Sequence, residues 1–195
     1  LTALPLFVWM GEILFRTKLS ENLFKGLSPW MQKLPGGLIH VNIVGCALFA
    51  AISGSSAATV ATVGKMSIPE LRKRNYPEKI LLGSLAGSGT LGLLIPPSII
   101  LIIYGVAVQE SIAKLFIAGI VPGIMIALIF MSYVIVWSLI NKKKMPKIVE
   151  EYSFLEKVKK SKQLLPVILL ISAVIGSIYT GIATATEAAS LGVVG

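Results

Sequence analysis

Hydroxyl-bearing and small residues occupy the second half of a strongly apolar segment in the first third of the chain. The apolar run LIHVNIVGCALFAAI is followed directly by SGSSAATVATVG, which begins at Ser53. Hydroxyl and backbone carbonyl oxygens are hard donors that suit an alkali cation, which needs no carboxylate ligand. This pattern indicates one half of a cation site. The residues of the run that supply such oxygens are Ser53, Gly54, Ser55, Ser56 and Thr59.

A second stretch, GSGTLGLLIPPSIILIIYG over residues 87–105, interrupts a long apolar segment. Pro96 and Pro97 remove two successive backbone donors and move Ile95 out of the α region, while the glycines before them loosen the preceding turns. We therefore predict a discontinuous helix. Its free carbonyl oxygens suit a cation, and its exposed N–H groups suit a substrate carboxylate. The candidate residues here are Gly89, Thr90, Gly92, Pro96, Pro97 and Ser98.

The composition places both features in a membrane protein. Of the 195 residues, 55% are hydrophobic and only 14% are charged, and the mean hydropathy is +0.84, values that a soluble domain does not easily reach. All nine acidic residues are Glu, which excludes aspartate pairs and Asp-centred triads. One His and one Cys exclude a zinc cluster and a disulfide. We predict an all-α polytopic integral membrane protein that has no enzymatic activity, no organic cofactor and no nucleic-acid partner.

A helix needs about 20 apolar residues to cross the hydrocarbon core, and this length divides the chain into segments. Because the chain opens inside an apolar run and stops at SLGVVG, we also expect an internal part of a longer protein. The predicted segments are the end of a transmembrane helix and an interfacial amphipathic helix (1–37), a re-entrant hairpin (38–64), a cytoplasmic connector (65–79), a broken transmembrane helix (80–108), a transmembrane helix (115–140), a basic cytoplasmic connector (141–163), and a transmembrane helix with the start of the next (164–195).

The re-entrant hairpin follows from the distribution of basic residues. Lys and Arg are concentrated in the segments 16–37, 65–79 and 141–163, and positive charge in short loops favours the cytoplasmic side. If residues 38–63 crossed the bilayer, one basic segment would lie outside. A hairpin that enters and leaves by the same face keeps every basic segment inside, and its turn would fall at Ser53 to Ser56. Non-helical backbone at that depth must line a cavity or be buried in protein.

Several motifs resemble, in order and spacing, the large membrane subunit of tripartite ATP-independent periplasmic (TRAP) transporters, the DctM-like family. The resemblance covers the whole chain. The motifs that carry it are ALFAAISGSSAATVATVGKMSIPELRKRNYPEK, GSGTLGLLIPPSIILIIYGV, SIAKLFIAGIVPG and GIATATEAASLG.

This resemblance implies a sodium-driven importer of small organic acids in the inner membrane of a bacterium. The family is built from two inverted repeats of an elevator-type fold, of which this chain holds most of the first. Expected partners are a small four-helix membrane subunit, a periplasmic substrate-binding protein, the organic acid, sodium as coupling ion, and the lipid bilayer. By resemblance, residues 53–56 form the first hairpin tip and Gly89, Thr90 and Gly92 help to frame one sodium site. Pro96 to Ser98 and Thr59 belong to the helix break or the substrate site.

Outside the site, Thr184 and Glu187 have the spacing of a capping box, which predicts a helix start near Ala185. Glu187 could instead be a functional acid within the membrane. We expect His40 to be a satisfied interface residue and Cys46 to pack as a small hydrophobe.

Two other functions remain compatible with the residues. One is a stand-alone sodium-coupled anion symporter or antiporter of related fold with no binding protein. The other is a membrane scaffold in which the serines and glycines only pack helices. The sequence does not select among sialic acid, C4-dicarboxylates and keto acids as substrate.

Overall fold

The computed structural model describes residues 3–16, 19–146 and 152–194. Within these ranges every regular element is helical, in agreement with the predicted all-α class. The elements are α1 (Ala3–Arg16), α2 (Leu19–Met31), α3 (Ile39–Ser53), α4 (Ser56–Lys73), α5 (Glu78–Gly89), α6 (Ile99–Ala107), α7 (Ile112–Ile140), α8 (Phe154–Ser161), α9 (Leu165–Tyr179) and α10 (Ala185–Val194), with 3-10 turns at Thr90–Leu93, Lys142–Lys144 and Lys162–Leu164.

Helix α3 lies at the centre of the fold. It is apolar on nearly every side, and twelve of its fifteen residues are buried, as expected for a helix surrounded by protein. It contacts α1, α2, α4, α5 and α7. These helices therefore pack around α3. The carboxyl end of α3 places Ser53, the first residue of the hydroxyl-rich run, in the protein interior.

The turn between α3 and α4 consists of Gly54 and Ser55. Gly54 ends α3 in the left-handed region with φ of 60°, and its N–H donates to the Ala50 carbonyl oxygen at 3.1 Å. Ser55 caps α4, because its hydroxyl accepts a hydrogen bond from the Ala58 N–H at 3.4 Å. A glycine C-cap followed at once by a serine N-cap makes a tight helical hairpin. The turn lies within the predicted Ser53 to Ser56 segment.

The predicted helix break is a 3-10 turn followed by a non-helical segment. Helix α5 ends at Gly89 and tightens into the 3-10 turn Thr90–Leu93, after which α6 begins at Ile99. Pro96 and Pro97 lie between these elements, where neither can donate a backbone hydrogen bond. The residue before α6, Ser98, has an extended backbone. The chain is therefore non-helical between Leu94 and Ser98.

Within the described ranges, two apolar helical segments are long enough to cross a membrane. They are Ile112–Ile140, with 29 residues, and Phe154–Tyr179, with 26 residues, which joins α8, a 3-10 turn and α9. At a rise of 1.5 Å per residue, α7 is about 43 Å long. Many of its large apolar side chains are exposed, as a lipid-facing surface requires. Among them are Ile117, Val121, Ile124, Leu128 and Ile129.

Some element boundaries differ from those expected. Helix α4 continues to Lys73, so the first part of the predicted 65–79 connector is helical in spite of Pro69. The buried residues Ser67 and Leu71 keep this part packed on its neighbours, and packing outweighs the backbone bond lost at Pro69. The 141–163 connector contains α8. Residues 17, 18 and 147–151 of the predicted segments lie outside the described ranges.

Helix α2 was expected to lay its apolar face on the bilayer interface, but that face is covered by protein. Leu23, Phe24 and Leu27 are buried, with exposed fractions of 2%, 6% and 7%. Gly26 allows the close approach, because a Cβ atom there would lie 2.6 Å from Leu164 Cγ. The apolar side of α2 therefore packs on other parts of the chain.

Candidate functional site

The hairpin tip contacts the helix break through backbone atoms. The Ile99 N–H, at the start of α6, donates to the Gly54 carbonyl oxygen at 3.2 Å. A Cβ atom on Gly54 would lie 2.8 Å from the Pro97 carbonyl oxygen, and one on Gly92 would lie 2.9 Å from the Ser56 nitrogen. Residues of the α3–α4 turn are thus in direct contact with both sides of the break. Glycine is required at these two positions because the backbones touch.

Hydroxyl groups inside the tip converge on one carbonyl oxygen. Ser55 O accepts from the Thr59 hydroxyl at 2.8 Å, from the Thr59 N–H at 3.0 Å and from the Ser53 hydroxyl at 3.3 Å. The Ser53 and Thr59 hydroxyls are 2.9 Å apart. Both side chains are buried, with exposed fractions of 1% and 0%. The tip therefore contains a compact group of oxygen atoms that carries no formal charge.

The residues of the break have different environments. Ser98 is buried, and its hydroxyl donates to the Leu93 carbonyl oxygen at 2.8 Å across the non-helical segment. Thr90 is exposed, and its hydroxyl donates to Gly87 O at 2.6 Å within its own helix. Gly89 is a packing position, because a Cβ atom there would lie 1.9 Å from Val60 Cγ2 of α4. Of these three residues, only Ser98 bonds across the break.

Two glycines of α7 also contact the break and were not among the predicted site residues. A Cβ atom on Gly119 would lie 2.6 Å from the Leu94 carbonyl oxygen, and one on Gly123 would lie 2.8 Å from Ile95 Cγ1. The sequence signal for this contact is two glycines four residues apart, the pattern typical of close helix approach in membranes.

A further missed contact comes from α1. A Cβ atom on Gly11 would lie 3.1 Å from Ser53 Cβ, so α1 contacts the tip directly at Ser53. Gly11 lies in an apolar run of ordinary appearance, and nothing in its spacing distinguishes it. Only the packing of α1 against α3 brings it to the tip.

The base of the hairpin is held by a tyrosine in the loop that follows α4. The Tyr76 hydroxyl accepts a hydrogen bond from the Leu38 N–H at 3.0 Å, just before α3 begins. Burial raises the pKa of the Tyr76 phenol above its ordinary value. His40 Nε2 is 2.8 Å from the Pro35 carbonyl oxygen, whereas the buried Nδ1 atom has no hydrogen-bond partner in the structure. The expectation of a satisfied interface residue is therefore met at one ring nitrogen only.

The predicted capping box at α10 is confirmed. The Thr184 N–H donates to Glu187 Oε2 at 2.7 Å, and the Glu187 N–H donates to the Thr184 hydroxyl at 3.4 Å. Glu187 is exposed. Its carboxylate is engaged by the helix start, which favours the cap over a functional acid within the membrane.

The chemistry open to the tip and break is that of uncharged oxygen ligands. In the part of the chain that the structure describes, no three His, Cys, Asp or Glu side chains come together as a metal site. The tip and break hold serine and threonine hydroxyls and backbone carbonyl groups, which match an alkali cation better than a transition metal. The start of α6 adds the positive end of a short helix at the same place.

Comparison with known proteins identifies the family. Residues 1–195 match the family described as tripartite ATP-independent periplasmic transporter, DctM component. A C4-dicarboxylate TRAP transporter large permease protein of Pseudomonas aeruginosa is 37% identical over 194 residues, covering 100% of this chain and 45% of that protein. A sialic acid TRAP transporter large permease protein of Vibrio cholerae is 35% identical over 193 residues, covering 98% of this chain and 44% of that protein.

A third relative, an ectoine/5-hydroxyectoine TRAP transporter large permease protein of Ruegeria pomeroyi, is 33% identical over 190 residues, covering 97% of this chain and 44% of that protein. The chain thus spans less than half the length of these curated relatives. The predicted resemblance is confirmed, and the relatives are transporter permeases rather than enzymes. The chain belongs to the DctM component family of tripartite ATP-independent periplasmic transporters.

Proposed function

We propose that this chain forms the first half of the ion and substrate site of a sodium-coupled permease that imports small organic acids. The observation that carries the proposal is the contact between the α3–α4 tip and the break before α6, made through Gly54, Gly92 and Ile99. Broken helices that face each other inside a membrane protein offer carbonyl oxygens and helix ends to ions and anionic substrates.

Sodium would bind at the tip. Ser53, Gly54, Ser55 and Ser56 would supply hydroxyl and carbonyl oxygens, with Gly89, Thr90 and Gly92 framing the site from the other side. The absence of any charged group among these residues suits a monovalent ion, whose ligands need carry no charge. Because Ser55 O already accepts three hydrogen bonds, ion binding there would require the Ser53 and Thr59 hydroxyls to turn their oxygens toward the ion.

The substrate is proposed to be a small carboxylic acid. The relatives are named for C4-dicarboxylates, sialic acid and ectoine, and the positive end of α6 beside Pro96, Pro97 and Ser98 suits a carboxylate. Thr59 would contribute from the tip, where its hydroxyl donates to Ser55 O at 2.8 Å. No catalysis and no organic cofactor enter this mechanism.

The membrane placement that supports this function is a re-entrant hairpin reaching the bilayer midplane. Helix α3 has 15 residues and is about 22 Å long, which is shorter than the hydrocarbon core of about 30 Å. Lys25 of α2, Lys65 of α4 and Lys160 of α8 line one cleft. Their proximity favours a common face for the three basic segments, the cytoplasmic face of a bacterial inner membrane.

The whole transporter is proposed to contain a small four-helix membrane subunit and to receive substrate from a periplasmic binding protein. The alternative is a stand-alone sodium-coupled symporter or antiporter that needs no binding protein. Vesicles containing the full-length permease and its small subunit separate the two. Uptake of sialic acid, succinate or pyruvate under a sodium gradient should require the binding protein. Uptake without it supports the stand-alone alternative, and no uptake under any gradient by the intact complex contradicts both.

A variant pair tests the site in the same vesicles. Ser53→Ala removes a buried hydroxyl 2.9 Å from Thr59 Oγ1 and should raise the sodium concentration for half-maximal uptake at least threefold. The control is Ser132→Ala, an exposed serine of α7 whose hydroxyl donates to Leu128 O at 2.8 Å. If Ser53→Ala leaves the sodium dependence at the control value, the tip is not the sodium site.

A further inference from the structure

A basic cleft lies between α2, α4 and α8, away from the hairpin tip. Its volume is about 440 Å³. Its charged lining residues are Lys25, Lys65, Arg74, Lys160, Glu21 and Glu70. Cationic groups therefore outnumber carboxylates by two to one among the described lining residues. Such a cleft suits an anion with more than one oxygen.

Each carboxylate of the cleft has a basic neighbour on its own helix. Glu21 forms an ion pair with Lys25, which itself lines the cleft, and Glu70 Oε1 is 3.5 Å from Nζ of Lys73, which does not line it. The four cations of the cleft still exceed its two carboxylates. Lys65 and Lys160 are 95 positions apart in the chain. Their proximity is therefore a result of tertiary packing and not of local sequence. Two like charges are held at one cleft by the packing of α2 against both α4 and α8.

The chain direction places this cleft at the surface of the bilayer. Helix α8 runs through a single 3-10 turn into α9, and together they form one of the two membrane-length apolar segments. Helix α8, the first part of that segment, holds Lys157, Lys159 and Lys160. Because charged side chains are costly inside the hydrocarbon, α8 must lie where the segment leaves it. That layer contains the lipid headgroups.

Helix α8 presents an apolar edge beside the cleft. Phe154 and Leu155 have exposed fractions of 71% and 79%, and Val158 lies on the same side one turn later. The Phe154 ring also lies edge-on to the Trp30 ring, with the two ring centres 6.4 Å apart. Lys157 Nζ is 5.5 Å from the centre of the same Trp30 ring, and Lys160 Nζ is 3.8 Å from the centre of the Tyr152 ring. The Trp30 indole N–H also donates to the Ser161 hydroxyl at 2.8 Å. Basic groups and exposed apolar groups on one short helix are typical of a helix that lies on an anionic membrane.

We propose that this cleft binds the phosphate headgroup of an anionic phospholipid while Phe154, Leu155 and Val158 enter the acyl region beside it. The phosphate is surrounded by Lys65 of α4, Arg74 directly after α4, Lys25 of α2 and Lys160 of α8. Because α4 is the second arm of the hairpin, the bound lipid joins that arm to the surface helices α2 and α8. No contact with the ion site is needed for this binding.

The test uses the full-length permease with its small subunit, delipidated in detergent and titrated with short-chain phosphatidylglycerol, phosphatidylcholine or inorganic phosphate. Bound lipid is counted by native mass spectrometry. The variant Lys65→Gln plus Lys160→Gln should weaken phosphatidylglycerol binding at least tenfold. The control, Lys142→Gln plus Lys143→Gln, removes the same charge from exposed residues that do not line the cleft and should change it less than twofold. Lys65→Arg plus Lys160→Arg should restore binding.

The ligand arms distinguish a lipid from a free anion. Leu155→Gln should weaken phosphatidylglycerol binding severalfold and leave the binding of inorganic phosphate unchanged. Equal affinity for phosphatidylcholine and phosphatidylglycerol, equal loss in the cleft and control variants, or inorganic phosphate binding as tightly as the lipid would overturn the proposal. Since none of these measurements involves transport, their outcome is independent of the sodium-coupled uptake proposed above.

Discussion

The Gly54 carbonyl oxygen accepts a hydrogen bond from the Ile99 N–H at 3.2 Å, so the tip of the hairpin satisfies the first N–H of α6. Helix starts carry N–H groups with no partner in their own helix, and here one of them is satisfied from a different element. The same contact holds a carbonyl-rich turn against a helix start. Any movement of the hairpin relative to α6 must break this bond.

Gly92→Ala tests the close approach of the break to the tip. Its Cβ atom would lie 2.9 Å from Ser56 N and 3.0 Å from Ser56 Cα, so backbone must move. We expect a loss of about 1–3 kcal/mol in unfolding free energy and a strong reduction of uptake by the complete transporter. The control is Gly83→Ala, since nothing lies within 4 Å of a Cβ atom there. It should be neutral or stabilising by up to about 1 kcal/mol. Equal melting temperatures for the two variants would contradict the proposed contact.

Gly54→Ala separates backbone strain from contact. Gly54 and Gly181 both have positive φ, 60° and 72°, and an L-residue in this region costs about 1–2 kcal/mol. A Cβ atom on Gly54 would lie 2.8 Å from the Pro97 carbonyl oxygen, whereas nothing lies within 4 Å of a Cβ atom on Gly181. Gly54→Ala should therefore lower the thermal midpoint more than Gly181→Ala and should alone abolish transport. If both variants reduce uptake to a similar extent, the loss of transport in Gly54→Ala is due to backbone strain and not to the contact with Pro97.

Tyr76→Phe tests the attachment at the hairpin base. It removes the hydroxyl that accepts from the Leu38 N–H and leaves that N–H without its partner, which should cost about 1–3 kcal/mol. Hydrogen exchange at the Leu38 amide should accelerate accordingly. The control is Tyr104→Phe on α6, where the side chain is 54% exposed; its effect should be small. Unchanged exchange at Leu38 in Tyr76→Phe would argue against the bond.

The pair of Arg72 and Glu78 predicts a pH dependence on the acidic side. Hydrogen bonds from the Arg72 guanidinium hold the pKa of the Glu78 carboxyl below its ordinary value of 4.5. Because the folded pKa is the lower one, the stabilisation is present above the ordinary pKa and is lost as the pH falls through the folded value. The pair is exposed, so the effect should be small and weakened by salt.

The measurement for this pair is the thermal midpoint between pH 3 and 6 in wild type and Arg72→Gln. The slope with pH should decrease in Arg72→Gln, whereas Lys79→Gln, which removes a neighbouring exposed charge, should retain it. A slope that survives in Arg72→Gln would assign the acid sensitivity to another carboxylate.

The proposed re-entrant hairpin predicts that Lys33 and Lys65 face the same side. Both positions are exposed, and a cysteine is introduced at each in a variant whose buried Cys46 is replaced by alanine. These cysteines should react with an impermeant maleimide only from the cytoplasmic face of oriented vesicles. Cytoplasmic labelling at both supports the re-entrant hairpin. Labelling from opposite faces would mean that 38–63 crosses the bilayer.

Local patterns in the sequence were sufficient for the features that depend on neighbours along the chain. Apolar runs and the low content of charged residues predicted a helical membrane protein. The distribution of basic residues predicted a turn at Ser53 to Ser56, and there a glycine C-cap and a serine N-cap act on their own backbone. Pro96 and Pro97 predicted the break because each proline restricts its own backbone and that of the residue before it. Thr184 with Glu187 predicted the cap of α10.

Tertiary packing decided what the sequence pattern left open. Gly89, Gly92, Gly119 and Gly123 look alike in the chain, yet one packs on Val60, one on the hairpin tip and two on the break. Pro69 does not end α4, because buried neighbours hold the helix together. Lys65 and Lys160 share a cleft only because α2 packs against both of their helices. A residue's intrinsic preference acts over a few positions, whereas its contacts depend on which distant helix is brought against it, and that choice is made by the burial of the whole apolar core around α3.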